Sequence, residues 1–206
     1  MRMLPNMTPP VPLVERKRRQ ARERIIQAAE ELFFSRGFDD VSVSDIAERA
    51  EVGRTTFFRH FGDKQEVAFA REQELLETIA AAAQEDDFAS IQSMTEAVEQ
   101  LCPIVLALCA QATADPAGYV RHFRLVEQHV ELRARDALKI QQLAGKLSDV
   151  LIHRGADEAI ALTAANVALG CYLTARSLGD DPRTLVDDAR AAFRRVLTLG
   201  AATTPA

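Results

Sequence analysis

Donor-bearing side chains occur at helical spacing between Arg54 and Arg59, and their types suit hydrogen bonding to nucleic-acid bases. The fork of an arginine binds O6 and N7 of guanine, a contact that contributes about 1–3 kcal/mol of discrimination. Thr55 and Thr56 each offer a hydroxyl and a methyl group, which suit a backbone oxygen or the methyl group of thymine. The pattern predicts a helix that reads base edges. Arg54 is its main reader, and Arg59, one turn on, contacts a second base or a phosphate.

The residues that flank this helix are suited to contacting the phosphate backbone, which positions a protein on DNA without reading the sequence. His60 and Lys64 follow the helix, while Ser42 and Ser44 open the preceding one, where hydroxyl and amide donors meet an anion favourably. Phe58 is equally compatible with a groove wall and with the core. The predicted DNA-contacting residues are Ser42, Ser44, Arg54, Thr55, Thr56, Phe58, Arg59, His60 and Lys64.

Two short helices and a turn must position these side chains. Ser42 can cap the first helix, and Asp45 three residues later completes a capping box. Apolar residues then recur at helical spacing over residues 43–50, which is just over two turns. Residues 51–53 break the pattern before a second helix starts near Arg54. This arrangement predicts a helix-turn-helix, whose second helix enters the major groove.

Positive charge is concentrated at the start of the chain. The 206 residues carry a net charge of −5, but residues 1–24 hold seven Arg or Lys against two Glu, which is +5. Local charge governs docking to phosphate. Residues 1–20 are therefore predicted to be a disordered basic arm that lies along or into an adjacent groove. The alternative is a solvated helix start, or a tail that binds any anionic partner.

The stretch that contains both helices resembles the TetR family of bacterial transcriptional regulators over about residues 21–81. The resemblance is most specific in the run TTFFRHFGDK, which follows DIAERA. It implies an all-helical fold with a DNA-binding head, a divergent ligand-binding half, and dimerisation through the last two helices. The positions that carry it are Phe33, Gly37, Ile46, Ala47, Ala50, Val52, Thr56, Phe57, His60, Phe61 and Lys64.

Three positions depart from the pattern of this family. Glu51 stands where the family usually has glycine, because the turn favours a left-handed backbone that costs a residue with a Cβ about 1–2 kcal/mol. Gly53 replaces a serine or threonine that often opens the second helix, and Phe58 replaces a tyrosine, so two hydroxyl groups are missing. The phosphate contacts are therefore predicted to depend on Arg54, Arg59, Lys64 and the basic arm.

Composition and cysteine content restrict the function classes. With 48% hydrophobic residues the chain can bury a core, and its three cysteines form no CxxC pair, which fits a reducing cytoplasm. Residues 1–13 contain no apolar run typical of a signal peptide or membrane span. The histidines are scattered, and no GxSxG, HExxH or glycine-rich phosphate loop occurs. We predict a cytoplasmic protein without enzymatic activity, metal or cofactor. The alternative of another class is an adaptor that uses its basic arm on a membrane or a protein.

Helical periodicity continues along the rest of the chain, and no alternating strand pattern occurs. We predict an all-α fold of about nine helices, in which residues 21–83 form the helix-turn-helix domain and 84–206 a bundle for ligand binding and dimerisation. Gly37 and Gly155 are predicted to end helices, and Asp63 to cap a fourth helix that links the two domains. The later helices are predicted at 93–112, 116–132, 134–154, 157–178 and 182–199.

The later helices carry a few polar and aromatic side chains that could form a pocket for a small, largely apolar effector. A simpler explanation exists, since aromatic residues at helical spacing are more often plain core. Cys102 and Cys109 share a helix face, which leaves a redox switch open, and His122 and His129 share another, which leaves a metal site as a minor alternative. The predicted ligand-binding residues are Cys109, His122, Phe123, Glu127, Asn166 and Tyr172.

The helix around Ala165 is apolar or small nearly all round, whereas the last helix has one apolar stripe. A helix of the first kind needs neighbours on every side, and a second subunit supplies one of them. A buried helix in a monomer is the alternative. Together with the family resemblance, the two helices predict a homodimer that binds a pseudo-palindromic operator. The predicted function is that of a ligand-responsive repressor, and the alternative is an activator or global regulator of the same fold. The predicted interface residues are Ala165, Leu169, Leu173, Ala189, Phe193, Val196 and Leu197.

Overall fold

Every regular element in the described residues is an α-helix. The computed structural model describes residues 13–71, 91–178 and 181–201, and within these ranges it contains no strand. The predicted all-α class is therefore confirmed. The nine helices in these ranges are α1 (Leu13–Arg36), α2 (Val43–Arg49), α3 (Arg54–His60), α4 (Lys64–Ala68), α5 (Met94–Ala112), α6 (Pro116–Gln128), α7 (Val130–His153), α8 (Glu158–Leu178) and α9 (Leu185–Ala201).

The chain divides into two compact units, residues 1–70 and 71–206. The sequence places the boundary after residue 83, and this position falls in the range 72–90, outside the described residues. The predicted domain limits therefore stay a prediction. Each unit is described by itself below.

The first unit is organised by α1, which buries Ile25, Ala29 and Phe33 along one face at helical spacing. α1 ends at Gly37, whose φ of +86° is left-handed, and the N–H of Gly37 reaches the carbonyl of Phe33 at 3.1 Å. Gly155, with a φ of +83°, follows α7 in the same way. Both glycines are confirmed as helix ends, because this backbone conformation costs glycine nothing.

α1 begins inside the segment predicted to be disordered. That expectation is wrong for residues 13–20, which form the first two turns of α1. The reason is local, since residues 13–36 contain no glycine or proline and are rich in Arg, Lys, Gln and Glu, which are strong helix formers. We call residues 13–24 the overhang of α1, because the first buried side chain is that of Ile25. About 18 Å of helix precedes that residue.

α4 begins where the sequence predicts. The carboxylate of Asp63 accepts the N–H of Glu66 at 2.7 Å, which caps the helix. α4 is short, however, because the backbone of the fully buried Phe69 leaves the helical conformation after Ala68. The predicted continuation of this helix past residue 71 lies outside the described residues.

Two predicted helix boundaries differ from the structure. The break between α6 and α7 falls at His129, four residues earlier than predicted, where the backbone is extended with φ −124° and ψ 118°. α9 begins at Leu185 and not at Pro182. The residues before it form a turn in which the carbonyl of Asp181 accepts the N–H of Thr184 at 3.1 Å. This turn delays the start of α9 by three residues.

The second unit is built around α8, which packs against α5, α7 and α9. One face of α8 consists of small buried side chains, which allow neighbouring helices to approach closely. By length and hydropathy α8 would also qualify as a membrane span. Its packing in the bundle core accounts for that composition without a membrane. The buried residues of α8 are Ala161, Ala164, Ala165, Ala168, Leu169, Cys171 and Ala175.

The opposite face of α8 is not covered by the described part of its own chain, so the predicted cover by a second subunit stays a prediction. Leu162 is 47% exposed on this face. Asn166, Gly170 and Thr174 follow at intervals of four residues, and all three are exposed. The open face is thus continuous along most of the helix.

Three predicted interface residues point into the core of their own unit. Ala165 and Ala189 are 0% exposed and Phe193 is 1% exposed within the core of their own unit, so a partner chain cannot reach them. Small residues on all sides of a helix give no periodic sign of which face points inward, so the sequence could not separate the two faces. The remaining predicted residues stay a prediction: Leu169, Leu173, Val196 and Leu197.

Candidate functional site

The first helix of the predicted pair, α2, is held by the predicted capping box. The side chain of Ser42 accepts the N–H of Asp45 at 3.2 Å, and the Asp45 carboxylate accepts the N–H of Ser42 at 2.8 Å. The hydroxyl of Ser42 also donates to this carboxylate. These hydrogen bonds from Ser42 hold the pKa of Asp45 below its usual value. Ser42 therefore serves the helix cap, Ser44 is exposed, and their phosphate contacts stay predictions.

α3 presents the predicted reading face to solvent. Arg54, Thr55 and Arg59 are exposed, whereas Phe57 on the opposite side is 0% exposed and anchors the helix. The guanidinium of Arg59 donates to the hydroxyl of Thr56 at 3.3 Å, which orients it along the same face. The helix and its exposed donors are as predicted, and their contacts with bases stay predictions.

Phe58 lies on this face, between Arg54 and Thr55 round the helix. Its side chain is 49% exposed, and its ring meets that of Phe57 edge-on, with the centroids 5.5 Å apart. The structure therefore favours the groove wall over the core for Phe58. Gly53 precedes α3 without a side-chain cap, and nothing lies within 4 Å of the position that a Cβ would take. A serine at this position would fit and would supply a capping hydroxyl.

The turn between α2 and α3 contains the strain predicted from the sequence. Glu51 has a φ of +53°, the one positive φ among side-chain-bearing residues of the described ranges. Such a conformation costs about 1–2 kcal/mol. The carboxylate of Glu51 lies 3.9 Å from the guanidinium of Arg24, but their side chains are 87% and 50% exposed. A pair this exposed stabilises little, so it does not offset the strain.

Replacing Glu51 with glycine is expected to raise the free energy of unfolding by about 1 kcal/mol, because glycine adopts this backbone without a Cβ clash. The greater freedom of glycine in the unfolded chain removes part of the gain. Urea denaturation followed by circular dichroism measures the change. Glu51→Ala is the matched control, since it removes the carboxylate but keeps the Cβ. Equal stabilisation by both substitutions would assign the effect to charge and contradict the strain.

Lys64 has a structural role that the sequence did not indicate. Its ammonium donates to the carbonyl of Phe38 at 2.8 Å and to that of Val41 at 3.0 Å, and it lies 4.3 Å from the centroid of the Phe38 ring. These groups belong to the loop between α1 and α2, so Lys64 fixes the entry to α2. Its donors are engaged within the protein here, and its predicted phosphate contact stays a prediction.

Replacing Lys64 with methionine is expected to lower the free energy of unfolding by about 1–2 kcal/mol, because it leaves two loop carbonyls without their charged donor. Chemical denaturation measures the loss. Lys146→Met in the second unit makes the same chemical change at a half-exposed position and is expected to have a much smaller effect. If both variants lost the same stability, the loop contacts of Lys64 would not be the cause.

His60 closes α3 on the side that the overhang of α1 approaches. The pKa of its half-buried imidazole lies below the ordinary value, first because burial removes water from the charged form. Arg18, Arg59 and Arg22 lower this pKa further by repelling a positive charge. The guanidinium carbon of Arg22 lies 4.5 Å from the centroid of the Phe61 ring. The sequence did not single out Arg18 and Arg22, although their spacing of four places them on one helix face.

In the second unit, three predicted ligand residues come together around a buried ion pair. Arg176 on α8 and Asp136 on α7 join at 3.0 Å between Nη2 and Oδ2, with side chains 18% and 14% exposed. The guanidinium carbon lies 4.2 Å from the ring centroid of Phe123 and 5.8 Å from that of Tyr172. His122 meets the Phe123 ring edge-on at 5.1 Å. Rings from α6 and α8 thus surround an ion pair that joins α7 to α8, and we call this group the Phe123 cluster.

The other predicted ligand residues have different surroundings. Cys109 is fully buried in the apolar core, and this burial raises the pKa of its thiol to about 12. Burial also raises the thiol pKa of the free cysteines Cys102 and Cys171, which disfavours the reactive thiolate. Asn166 lies on the open face of α8 and donates to a carbonyl of its own helix, and Glu127 is exposed. Helical periodicity assigned these residues to faces without locating the neighbouring helix.

The comparisons with known proteins connect this geometry with one family. Residues 25–70, which include α2, the turn and α3, match the sequence model of "Bacterial regulatory proteins, tetR family". The chain is 32% identical over 144 residues to the HTH-type transcriptional regulator TcmR of Streptomyces glaucescens. This alignment covers 69% of this chain and 63% of TcmR. The chain is also 32% identical over 112 residues to the HTH-type transcriptional regulator HbdR of Aromatoleum sp. (strain CIB), covering 54% and 45%. The chain thus spans less than two thirds of the length of each of these relatives.

A solved structure shows the same fold. The chain is similar to SmeT in its triclosan complex, with a TM-score of 0.58 and 18% identity, covering 87% of this chain and 90% of that one. SmeT is described as the repressor of the Stenotrophomonas maltophilia multidrug efflux pump SmeDEF. At this identity the likeness extends to the fold alone.

Proposed function

We propose that the chain is a member of the TetR family and a sequence-specific DNA-binding transcriptional regulator that acts as a ligand-responsive repressor. Its match to the tetR family model over residues 25–70 and its likeness to TcmR and HbdR support this proposal. The observation that carries this proposal is the exposure of Arg54, Thr55 and Arg59 on one face of α3, with Phe57 buried behind it. Such a face fits the major groove and its base edges. Repression by DNA binding needs no catalytic group, metal or cofactor. We assign the protein to the cytoplasm, because the DNA of bacteria lies there.

A homodimer would present α3 twice, so the operator would be a pseudo-palindrome with half-sites about one helical turn or slightly more apart. The open face of α8 supports this part of the proposal. Leu162 is 47% exposed on that face, and Gly170 offers a backbone without a side chain two turns further on. Two copies of α8 and α9 facing each other would form a four-helix bundle.

The proposed effector is a small, largely apolar molecule that binds at the Phe123 cluster. Tyr119 extends this cluster, since its ring centroid lies 4.4 Å from that of Phe123, and Arg176 with Asp136 supplies the polar centre. The triclosan complex of SmeT is an example of a small ligand on the same fold. An effector changes operator affinity by binding one conformation preferentially. Moving occupancy from nearly full to nearly empty requires a preference of about 5.5 kcal/mol.

Selection of duplexes from a random library by the full-length protein tests the proposal. We expect one pseudo-palindromic sequence to be enriched, an even number of chains per duplex by light scattering, and an affinity that falls steeply with salt. A library without an enriched sequence would contradict a sequence-specific regulator. Pelleting with anionic vesicles in that case would favour the adaptor instead. Thermal unfolding at increasing triclosan concentration is the first test of the Phe123 cluster as a pocket.

A further inference from the structure

The overhang of α1 is strongly basic and has no core to fill. Residues 13–24 carry six basic residues against two acidic ones, a net charge of +4 over about three turns. None of their side chains is buried. Packing therefore does not explain why positive charge is concentrated on these turns, and a partner of opposite charge is the simplest reason for it.

Arg18 and Arg22 occupy the face of the overhang that leads into the core. Each precedes a buried residue by seven positions, Arg18 before Ile25 and Arg22 before Ala29. The apolar stripe of α1 thus continues towards its N-terminus as a stripe of arginines. Arg22 lies over the ring of Phe61, the residue that directly follows α3, at 4.5 Å. The two arginines therefore stand beside the C-terminal end of α3.

Positive charges converge on His60 from two helices. The charged groups that act on its imidazole are Arg59 on α3, and Arg18 and Arg22 on α1. Repulsion between like charges destabilises a folded protein. Proteins retain such repulsion at functional sites, where a bound ligand of opposite charge can neutralise it. Glu15 lies 4.0 Å from Arg18, but their side chains are 48% and 66% exposed, so this pair neutralises the cluster only weakly.

We propose that Arg18, Arg22 and His60 together bind one phosphate of the DNA duplex, beside the base pairs that α3 contacts, and that His60 takes up a proton from solvent when the phosphate binds. This inference rests on the proposed DNA-binding function and adds to it a second contact and a dependence on pH. A phosphate diester offers acceptor oxygens to two guanidinium groups and to an imidazolium, which are all donors. Its negative charge attracts the two guanidinium groups and favours the protonated form of the imidazole.

The sign of the pH dependence follows from linkage. In the free protein the pKa of His60 lies below its ordinary value, because burial and then the neighbouring arginines disfavour the charged imidazole. A bound phosphate stabilises the charged imidazole and raises this pKa. The complex then binds more protons than the free protein, so affinity for DNA rises as the pH falls. One coupled proton changes the affinity by at most about tenfold per pH unit.

Fluorescence anisotropy with a labelled duplex of about 30 bp that carries the selected operator measures this dependence. Between about pH 8 and about pH 5.5, we expect Kd of the wild-type protein to fall about threefold to tenfold. His60→Gln removes the titrating group and is expected to flatten the profile while operator binding persists through Arg54. Arg18→Ala is expected to reduce the slope of log K against log salt concentration by about 1.

Arg16→Ala is the matched control for position, because Arg16 lies about 160° round the helix from Arg18 and carries the same charge. An equal loss of slope in both variants, or an undiminished pH profile in His60→Gln, would overturn the site. NMR titration of His60 in the wild-type protein gives an independent measurement, in which the pKa must be higher in the complex than in the free protein. A selected operator without pH dependence contradicts this inference alone, whereas failure to select any operator contradicts the proposed function.

Discussion

Replacing Arg54 with alanine is expected to weaken binding to the selected operator by about 5- to 150-fold, the equivalent of 1–3 kcal/mol for one bidentate contact with guanine. Arg54 is exposed at the start of α3, and the buried anchor of that helix is Phe57. The fold should therefore be unaffected, and the loss should be confined to DNA binding. Anisotropy titrations with the selected operator and with a random-sequence duplex measure the two affinities, and the random duplex should lose much less.

Arg54→Lys separates the fork of the guanidinium from its charge. Lysine keeps the positive charge but presents no planar pair of donors, so it should retain binding to random DNA and lose most of the discrimination. Thermal unfolding of both variants checks that α3 is intact. Specific binding that survives in Arg54→Ala would contradict the assignment of Arg54 as the main base reader.

Replacing Asp136 with alanine is expected to lower the free energy of unfolding by about 3–5 kcal/mol. The pair with Arg176 is largely buried, and burial alone would lower the pKa of Arg176. Tyr172 and Asp136 outweigh this effect and raise the pKa, so the guanidinium stays charged. Without Asp136 the charge would remain buried with its main ionic partner removed. Urea denaturation followed by circular dichroism measures the loss, which is a large share of the stability of a typical domain.

A double variant tests whether the loss comes from an unpaired charge. Asp136→Leu combined with Arg176→Met replaces both charges by apolar side chains, and it should be much less destabilised than Asp136→Ala. Asp115→Ala is the surface control, because Asp115 pairs with Arg121 at 3.5 Å with side chains 70% and 51% exposed. This control should change stability by less than about 0.5 kcal/mol. Equal losses in Asp136→Ala and the double variant would contradict the explanation.

The features that the sequence predicted correctly depend on residues close together in the chain. The capping box joins Ser42 and Asp45, and the helix end at Gly37 bonds to Phe33, each within four residues. The left-handed turn at Glu51 is also local, but it was expected from the family resemblance, since that family usually has glycine at this position. Such interactions form wherever the local pattern occurs, so the pattern is sufficient to predict them.

The amphipathic helices were predictable for the same reason, but their neighbours were not. Periodicity indicates that a residue lies on an apolar face, and it does not say which helix covers that face. The apolar positions Ala165, Ala189 and Phe193 therefore served equally well for a subunit interface and for the core, and the structure places them in the core. Residues 13–20 were predicted to be disordered because they are strongly basic. They form helix in the structure, because their run of helix formers is unbroken.

By itself, the sequence determined the helical class, the helix-turn-helix with its strained turn, and the donors on α3. Tertiary structure alone decided the partners of three cations: Lys64 on the carbonyls of Phe38 and Val41, Arg22 over Phe61, and Arg176 on Asp136. These partners lie 23 to 40 positions apart. A long side chain binds whatever acceptor or ring the packing of the helices brings within its reach, and that arrangement is a property of the whole unit, which no local pattern records.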